Sequence, residues 1–278
     1  MSTLHAWLKQ FDGKNTPSDQ EPVKQNDLLF LLEHVLNQNR AWIYAHSDYR
    51  ISPEQLNQLE KNVNALKSGQ PMAYIIGQQK FWDLNFKVNS HTLIPRPDTE
   101  TLIEAVIELL EGTPPKHILD LGTGSGVLAI VLAHIYPKAD VQASDKSAEA
   151  LKVAKYNANF NYIKNIQFQQ SDWFDAIIPN QYDLIISNPP YIAENDTHLN
   201  ALKHEPIGAL VADQNGLGDY IRITNTAKDF LTKDGLLIFE HGWQQQKAVQ
   251  TIMLEAGFKN IGSRKDLAGH ERVTFGFK

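Results

Sequence analysis

Asn188-Pro189-Pro190-Tyr191 is the stretch whose residue types best suit a chemical task. The Asn188 side chain offers a carbonyl, and Pro189, which lacks an N–H, keeps its backbone carbonyl. Two such acceptors can hold an NH2 group and aim the lone-pair axis of its nitrogen. A planar amide or exocyclic amino nitrogen is a poor nucleophile, because its lone pair is delocalised into the neighbouring π-system. Fixing it beside an electrophile is therefore the useful contribution, and positioning of this kind supplies roughly 7–11 kcal/mol of barrier reduction in good cases. Tyr191 adds a flat face to stack on an amide or a base. Taken alone, the tetrapeptide is equally compatible with a plain turn, since Asn-Pro and Pro-Pro are common there.

The preceding residues say where this segment sits. Leu184-Ile185-Ile186 reads as a buried strand, and the Pro-Pro pair ends it at once because neither proline can donate to a sheet ladder. Asn188 is then held on stiff backbone at a strand's carboxyl end, where an open α/β sheet places its ligand chemistry. A second strand ends in Asp120-Leu121-Gly122-Thr123-Gly124-Ser125-Gly126 and runs into an apolar helix. Glycines at such a turn let the backbone approach a ligand closely and expose N–H groups at a helix N-terminus. The spacing is G-x-G-x-G with Val127 next, which disfavours a dinucleotide pyrophosphate site, and no Gly-Lys-Ser/Thr follows to make a P-loop. Two acids follow the next two strands. Asp145 closes Ala143-Ser144-Asp145, where a carboxylate can accept from both hydroxyls of a ribose. Asp172 precedes Trp173, and either the acid or the Trp173 backbone can meet an adenine edge while the indole offers a stacking face. Each acid alone also reads as a helix cap or a solvated charge. Their placement after three consecutive strands is what chance does not explain.

The rest of the chain supplies the frame. It has 278 residues, 42% of them apolar, a net charge of −6 and no cysteine. Disulfides, thiolate metal sites and cysteine nucleophiles are thereby excluded, and bulk electrostatic binding to nucleic acid is disfavoured. The first residues carry Lys9, Asp12 and Lys14 with no apolar leader, and no apolar run is long enough for a membrane span, so a soluble cytoplasmic protein is expected. Asp27 to Tyr44 shows apolar residues near helical spacing, and Ser52-Pro53-Glu54-Gln55 is a capping box with proline at the first helical position. That helix ends at Gly69. Residues 76–97 read as a linker β-hairpin, followed by Asp98 as N-cap of a helix over Thr99–Leu110. From His117 strands and helices alternate, with strands at His117–Leu121, Ala139–Ser144, Ile166–Gln169, Tyr182–Ser187, Gly235–Glu240 and Arg272–Phe277. Alternation of this kind implies a mostly parallel, doubly wound sheet.

In that order, the glycine loop, Asp145, Asp172 and N-P-P-Y resemble the motifs of Rossmann-like S-adenosylmethionine methyltransferases that act on glutamine, adenine or guanine nitrogens. Pro71–Gly77, Ile94-Pro95-Arg96-Pro97-Asp98-Thr99-Glu100, Glu240-His241-Gly242 and Asp266–Gly269 before Glu271-Arg272-Val273 narrow the resemblance to bacterial release-factor glutamine N5-methyltransferases, the PrmC/HemK family. It covers nearly the whole chain.

The resemblance implies an α/β fold: a Rossmann-like domain with a mostly parallel seven-stranded sheet over residues 98–278, and a small helical substrate-docking domain over 1–75. It implies that Gly122, Thr123, Gly124, Ser125 and Gly126 contact the methionine part of S-adenosyl-L-methionine, which leaves as S-adenosyl-L-homocysteine. Asp145 matches the ribose-binding acid, and Asp172 with Trp173 the adenine end. Asn188 matches the residue touching both cofactor and substrate amide, with Pro189, Pro190 and Tyr191 as the wall of the glutamine pocket and Arg96 at its entrance. The implied partners are peptide chain release factors, the acceptor being the glutamine of Gly-Gly-Gln. Neither a nucleic-acid target, a membrane nor a metal is expected, and the protein is expected to be a monomer. The alternatives are a ribosomal-protein glutamine methyltransferase, a nucleic-acid adenine N6-methyltransferase, and a cofactor-binding scaffold without activity. An altered N-P-P-Y or a broken glycine loop would favour the last, and neither is present. His241 and His270 form no compact metal pattern and are expected to be structural. The polar Asp12–Lys24 stretch, expected to be loop-like, departs from the family pattern.

Overall fold

A computed structural model describes residues 2–11, 23–179 and 181–278. All but the last two residues of the Asp12–Lys24 stretch lie outside them. The chain divides into two units, Met1–Gly77 and Gln78–Lys278.

The first unit is helical: α1 (Leu4–Lys9), α2 (Gln25–Leu36), α3 (Arg40–Ala45), α4 (Pro53–Lys67) and α5 (Met72–Ile76). The pattern expected as one helical run from Asp27 to Tyr44 is two helices. Asn37 takes a left-handed conformation with φ 51° and ends α2, and the Asn39 side chain accepts from Trp42 N at 2.8 Å to start α3. Asparagine tolerates the first geometry and is a good cap for the second. The Ser52–Gln55 capping box forms in both directions. Leu28, Leu29, Leu31, Leu32, Leu59 and Val63 close a core of their own.

The second unit begins with a hairpin, β1 (Gln78–Phe81) against β2 (Leu84–Lys87). Its Phe81 and Phe86 are buried in the core of this unit, so the segment expected as a linker is packed structure. Asp98 does not cap a helix. Pro97–Thr99 forms a 3-10 turn without a side-chain cap, and α6 runs Glu100–Leu109. The Asp98 carboxylate instead meets Arg272 at 3.0 Å, a charge-assisted contact that outweighs a single cap bond.

The remaining elements are β3 (His117–Leu121), α7 (Val127–Ile135), β4 (Asp140–Asp145), α8 (Ala148–Phe160), β5 (Ile166–Gln170), β6 (Tyr182–Ser187), α9 (Gly218–Phe230), β7 (Leu231–Glu240), α10 (Gln246–Glu255), β8 (Lys259–Lys265) and β9 (Glu271–Phe277). The seven strands β3 to β9 order as β5-β4-β3-β6-β7-β9-β8, with β9 antiparallel to both neighbours. Side chains alternate across the sheet as the pleat requires. Ile118, Leu184, Ile186, Leu236 and Ile238 face the core shared with α6, α7 and the hairpin. Leu119, Leu121, Ile185, Leu237 and Phe239 face Tyr220, Ile223 and Ala227 of α9 and Val249 and Met253 of α10. The strand order reverses between β3 and β6, which makes their carboxyl ends the switch point where a ligand crevice forms. No helix among the described residues is long and apolar enough to cross a membrane.

Candidate active site

The adjacent carboxyl ends of β3 and β6 set the site. Leu121 and Ser187 are register partners, and Ser187 Oγ donates to the Leu121 carbonyl at 2.7 Å. The residues that follow are the glycine loop on one side and Asn188 on the other. One cleft is lined by Gly122 to Ser125, Asp145, Asp172, Trp173, Asn188, Pro190, Thr99 and Arg96. Gly126, Pro189 and Tyr191 do not line it. Gly126 has φ 88°, and a Cβ there would stand 2.8 Å from Ile130 Cδ1 and 3.1 Å from Ala154 Cβ, so it serves the close packing of loop and helix. Pro189 is buried. Tyr191 packs on the core beneath α9 and α10, where burial and the nearby Glu240 carboxyl push its phenol up to about 12.

Asp145 is held by the loop it serves. Its Oδ2 accepts from Gly124 N at 2.9 Å and its Oδ1 from Ser147 N at 2.8 Å. Burial raises its pKa and these two donors offset part of the rise. Each oxygen keeps a further lone pair for a ligand hydroxyl. Asp172 spends its carboxylate on Arg222, at 2.9 Å, which leaves the backbone around Trp173 for contact with a base edge. Trp173 itself has φ 49° and donates its indole N–H to Asp219 Oδ1 at 3.0 Å. Its ring is mostly buried, with Cζ3 3.2 Å from where a Cβ of Gly122 would stand. The expected stacking face is therefore largely turned into the core and under the loop.

Five residues outside the expected set hold this arrangement. The Glu205 carboxylate is buried and accepts from Ile94 N at 3.0 Å and from the Arg96 guanidinium, which fixes Arg96 at the rim. Gln245 Nε2 donates to the Tyr191 carbonyl at 3.0 Å. Gly216 lets the chain press on the same carbonyl, since a Cβ there would stand 2.2 Å from it. Asp120 accepts from Thr123 Oγ1 at 2.6 Å and Ala129 N at 3.2 Å, tying loop to helix. Glu240 lies beside Asn188 on the neighbouring strand, and its backbone carbonyl accepts from Tyr220 Oη at 2.9 Å. Asp120 and Glu240 belong to the sequence motifs, and their position at strand ends was the available signal. Glu205, Gly216 and Gln245 sit in loops or a helix start with no motif to mark them. His241 is buried with both ring nitrogens partnered, to Gly242 O and Thr274 Oγ1, each at 2.9 Å, while His270 is exposed and faces Asp266 at 3.7 Å; neither lines the cleft.

Burial pushes the Asp120 and Glu240 carboxyls from their ordinary values of 3.8 and 4.5 up to about 7. Between those limits the folded state holds protons that the unfolded chain has released, so stability falls as pH rises through the window and the loss is complete above about 7. His241, lowered by burial, acts in the opposite direction, while Asp145 and Asp219, also raised by burial, act in the same one. The carboxyls lowered by surface hydrogen bonds, such as Glu108 and Glu149, titrate below this window. The melting temperature is therefore expected to fall between about pH 5 and pH 7, each of the two carboxyls removing at most about 1.4 kcal/mol of stability per pH unit. Calorimetry across that range checks it, and Asp120→Asn flattens the slope; a melting temperature that climbs with pH contradicts the two assignments.

Comparison with known proteins bears on both units. The profile "Methyltransferase small domain" matches residues 97–208 and "PrmC N-terminal domain" matches residues 18–77. The chain is 39% identical to the release factor glutamine methyltransferase of Escherichia coli strain K12 over 97% of each chain. It is 43% identical to that of Vibrio cholerae over 90% of this chain and 88% of the relative. Among solved structures, a methyltransferase from Pyrococcus furiosus superposes with TM-score 0.52 at 16% identity, over 82% of this chain and 99% of the other. The 16S rRNA methyltransferase RsmC from Thermus thermophilus, solved with AdoMet and guanosine, gives TM-score 0.52 at 20% identity over 72% and 49%. At these identities the structures establish the fold alone.

Proposed function

Because the chain belongs to the release factor glutamine methyltransferases, we propose that its N-P-P-Y segment holds the side-chain amide of a release-factor glutamine for methylation at N5. The acceptor is the glutamine of the Gly-Gly-Gln motif. The observation that carries this reading is the meeting of Asn188 and the Gly122–Ser125 loop in one cleft, at the adjoining ends of β6 and β3.

The residues present fit S-adenosyl-L-methionine. At Gly124 a Cβ would meet nothing within 4 Å, so the loop offers bare backbone to the cleft, and Asp145 adds a carboxylate with acceptor capacity to spare. When bound, this cofactor supplies a methyl group on a sulfonium, which makes the carbon electrophilic. The loop backbone from Gly122 to Ser125 takes the methionine portion, with Gly126 keeping the loop tight. Asp145 takes the ribose hydroxyls, and the Asp172-Trp173 backbone takes the adenine edge. Asn188 and the Pro189 carbonyl accept from the two N–H bonds of the substrate amide, which turns the nitrogen lone pair toward the cleft. Pro190 walls the amide plane, with Tyr191 packed behind it outside the cleft lining and its carbonyl braced by Gln245 and Gly216, and Arg96 guards the entrance through Glu205. No strong base is required, because the nitrogen sheds its proton after it has gained a substituent.

A lone glutamine side chain offers too little area for specificity. The helical unit Met1–Gly77 is the element we assign to docking the release factor. With a translation factor as substrate, the protein works in the cytoplasm, as a monomer, without a nucleic-acid target. The test is transfer of labelled methyl from S-adenosyl-L-methionine to a purified release factor. Label is expected in the release factor and lost when the Gly-Gly-Gln glutamine is replaced by alanine. Label in a ribosomal protein or in DNA, with none in the release factor, contradicts the assignment.

A further inference from the structure

Asn188 can do its work only if its amide presents oxygen, and not nitrogen, to the substrate NH2. Nothing in an asparagine side chain sets that choice, because its two ends are nearly the same size. The register of the sheet supplies what does. Ser187 pairs with Phe239 across β6 and β7, so Asn188 and Glu240 are the next residues along, side by side at the carboxyl ends of adjacent parallel strands. Asn188 lines the cleft and Glu240 does not. Glu240 is only 3% exposed, and its Oε2 has no hydrogen-bond partner among the described residues. A buried carboxyl oxygen left so is costly, and such groups call for an explanation.

We propose that Glu240 is a positioning residue that turns the Asn188 amide: its carboxylate accepts from the Asn188 NH2 and so presents the Asn188 carbonyl to the substrate amide. This rests on the assignment of Asn188 to the substrate. A carboxylate has only acceptors, so the end of Asn188 that faces it must be the donor. The unfilled Oε2 is the lone-pair site that this contact completes. The Thr99 hydroxyl, the Arg272 guanidinium and the Asn188 amide favour the ionised form. Tyr220 fixes the Glu240 backbone, and Val273 of β9 pairs with it on the other side, so the carboxyl is carried on rigid strand.

Protonation changes the instruction. A neutral carboxyl can donate as well as accept, and Asn188 can then turn its oxygen inward, away from the substrate. The groups that set this titration are Arg272 from β9, which favours the ionised form, and Asp98 from the 3-10 turn, which opposes it. The phenols of Tyr191, after β6, and Tyr220, on α9, face the same carboxyl and are raised by it. Burial is the largest influence and places the change near neutrality, at about 7. Activity is therefore expected to fall on the acid side through that region.

Glu240→Gln tests this, since glutamine has the same shape but can offer either end to Asn188. In release-factor methylation it is expected to lower kcat about ten-fold or more, leave cofactor affinity within about two-fold, and remove the acid limb of the pH profile. Glu240→Asp, which keeps a carboxylate, is expected to retain more activity than Glu240→Gln and to keep the limb. An unchanged kcat and pH profile in Glu240→Gln overturns the proposal, as does a parallel loss of cofactor affinity or of thermal stability, which makes the residue merely structural. Wild-type protein that fails to methylate a release factor at all contradicts the functional assignment instead.

Discussion

Asn188→Ala is expected to lower kcat for release-factor methylation by roughly 100- to 1000-fold, the size of effect seen when one preorganised hydrogen-bonding group is removed from a reacting centre. The cofactor dissociation constant is expected to move by less than about three-fold, because one side chain of many touching the cofactor contributes little to its binding. The asymmetry follows from geometry. Asn188 follows β6 and the glycine loop follows β3, so the proposed substrate contact and the proposed cofactor contacts come from different segments lining one cleft. Without its carbonyl the substrate amide is held by Pro189 alone and can rotate about that single bond. The nitrogen then spends most of its time with its lone pair aimed elsewhere. Paired kinetics and calorimetry read the split directly: weakened cofactor binding with kcat preserved would move Asn188 from the substrate to the cofactor.

The second large effect is expected at Asp145. Replacing it with alanine removes the ribose acceptor and also frees Gly124 N and Ser147 N, which the carboxylate holds at 2.9 and 2.8 Å. Loss of the ligand bonds alone is expected to weaken cofactor binding by about 1–3 kcal/mol, the range for charge-assisted hydrogen bonds. Loosening of the loop adds to it. Asp145→Asn separates the two contributions. One end of its amide still accepts a backbone N–H, while the other faces a donor with a donor. Titration calorimetry of the three proteins measures this, with the melting temperature as a control for folding; an affinity unchanged in Asp145→Ala refutes the ribose contact.

Much of this site was legible in the sequence because it lies at strand ends, where burial and chemistry meet. The apolar runs of β3 and β6 are buried on both faces and need no alternation to be recognised. The residues that follow them, Gly122 and Asn188, differ sharply in type from the strands they end. What was missed was missed for physical reasons. The strand β8 (Lys259–Lys265) lies at the sheet edge with only intermediate and exposed residues, so it carries no apolar pattern. After Leu231, β7 continues through the polar Thr232, Lys233 and Asp234, the last at φ 63°, and only its apolar second half was expected. Asp98 was expected at a cap because aspartate is a good one, but a guanidinium from β9, far along the chain, competes for it. Trp173 promised a stacking face, and the partner for its indole N–H, Asp219 on α9, draws the ring inward. Glu205, Gly216 and Gln245 act through contacts that only the folded chain creates.

The measurement that tests the central claim most directly is mass spectrometry of a release factor after incubation with this protein and S-adenosyl-L-methionine, with fragmentation of the peptide that contains Gly-Gly-Gln. One added methyl group on the side-chain amide of that glutamine is the predicted result, absent with Asn188→Ala over the same time. An unmodified Gly-Gly-Gln peptide, with the methyl group recovered on another protein or on a nucleic-acid base, would contradict it.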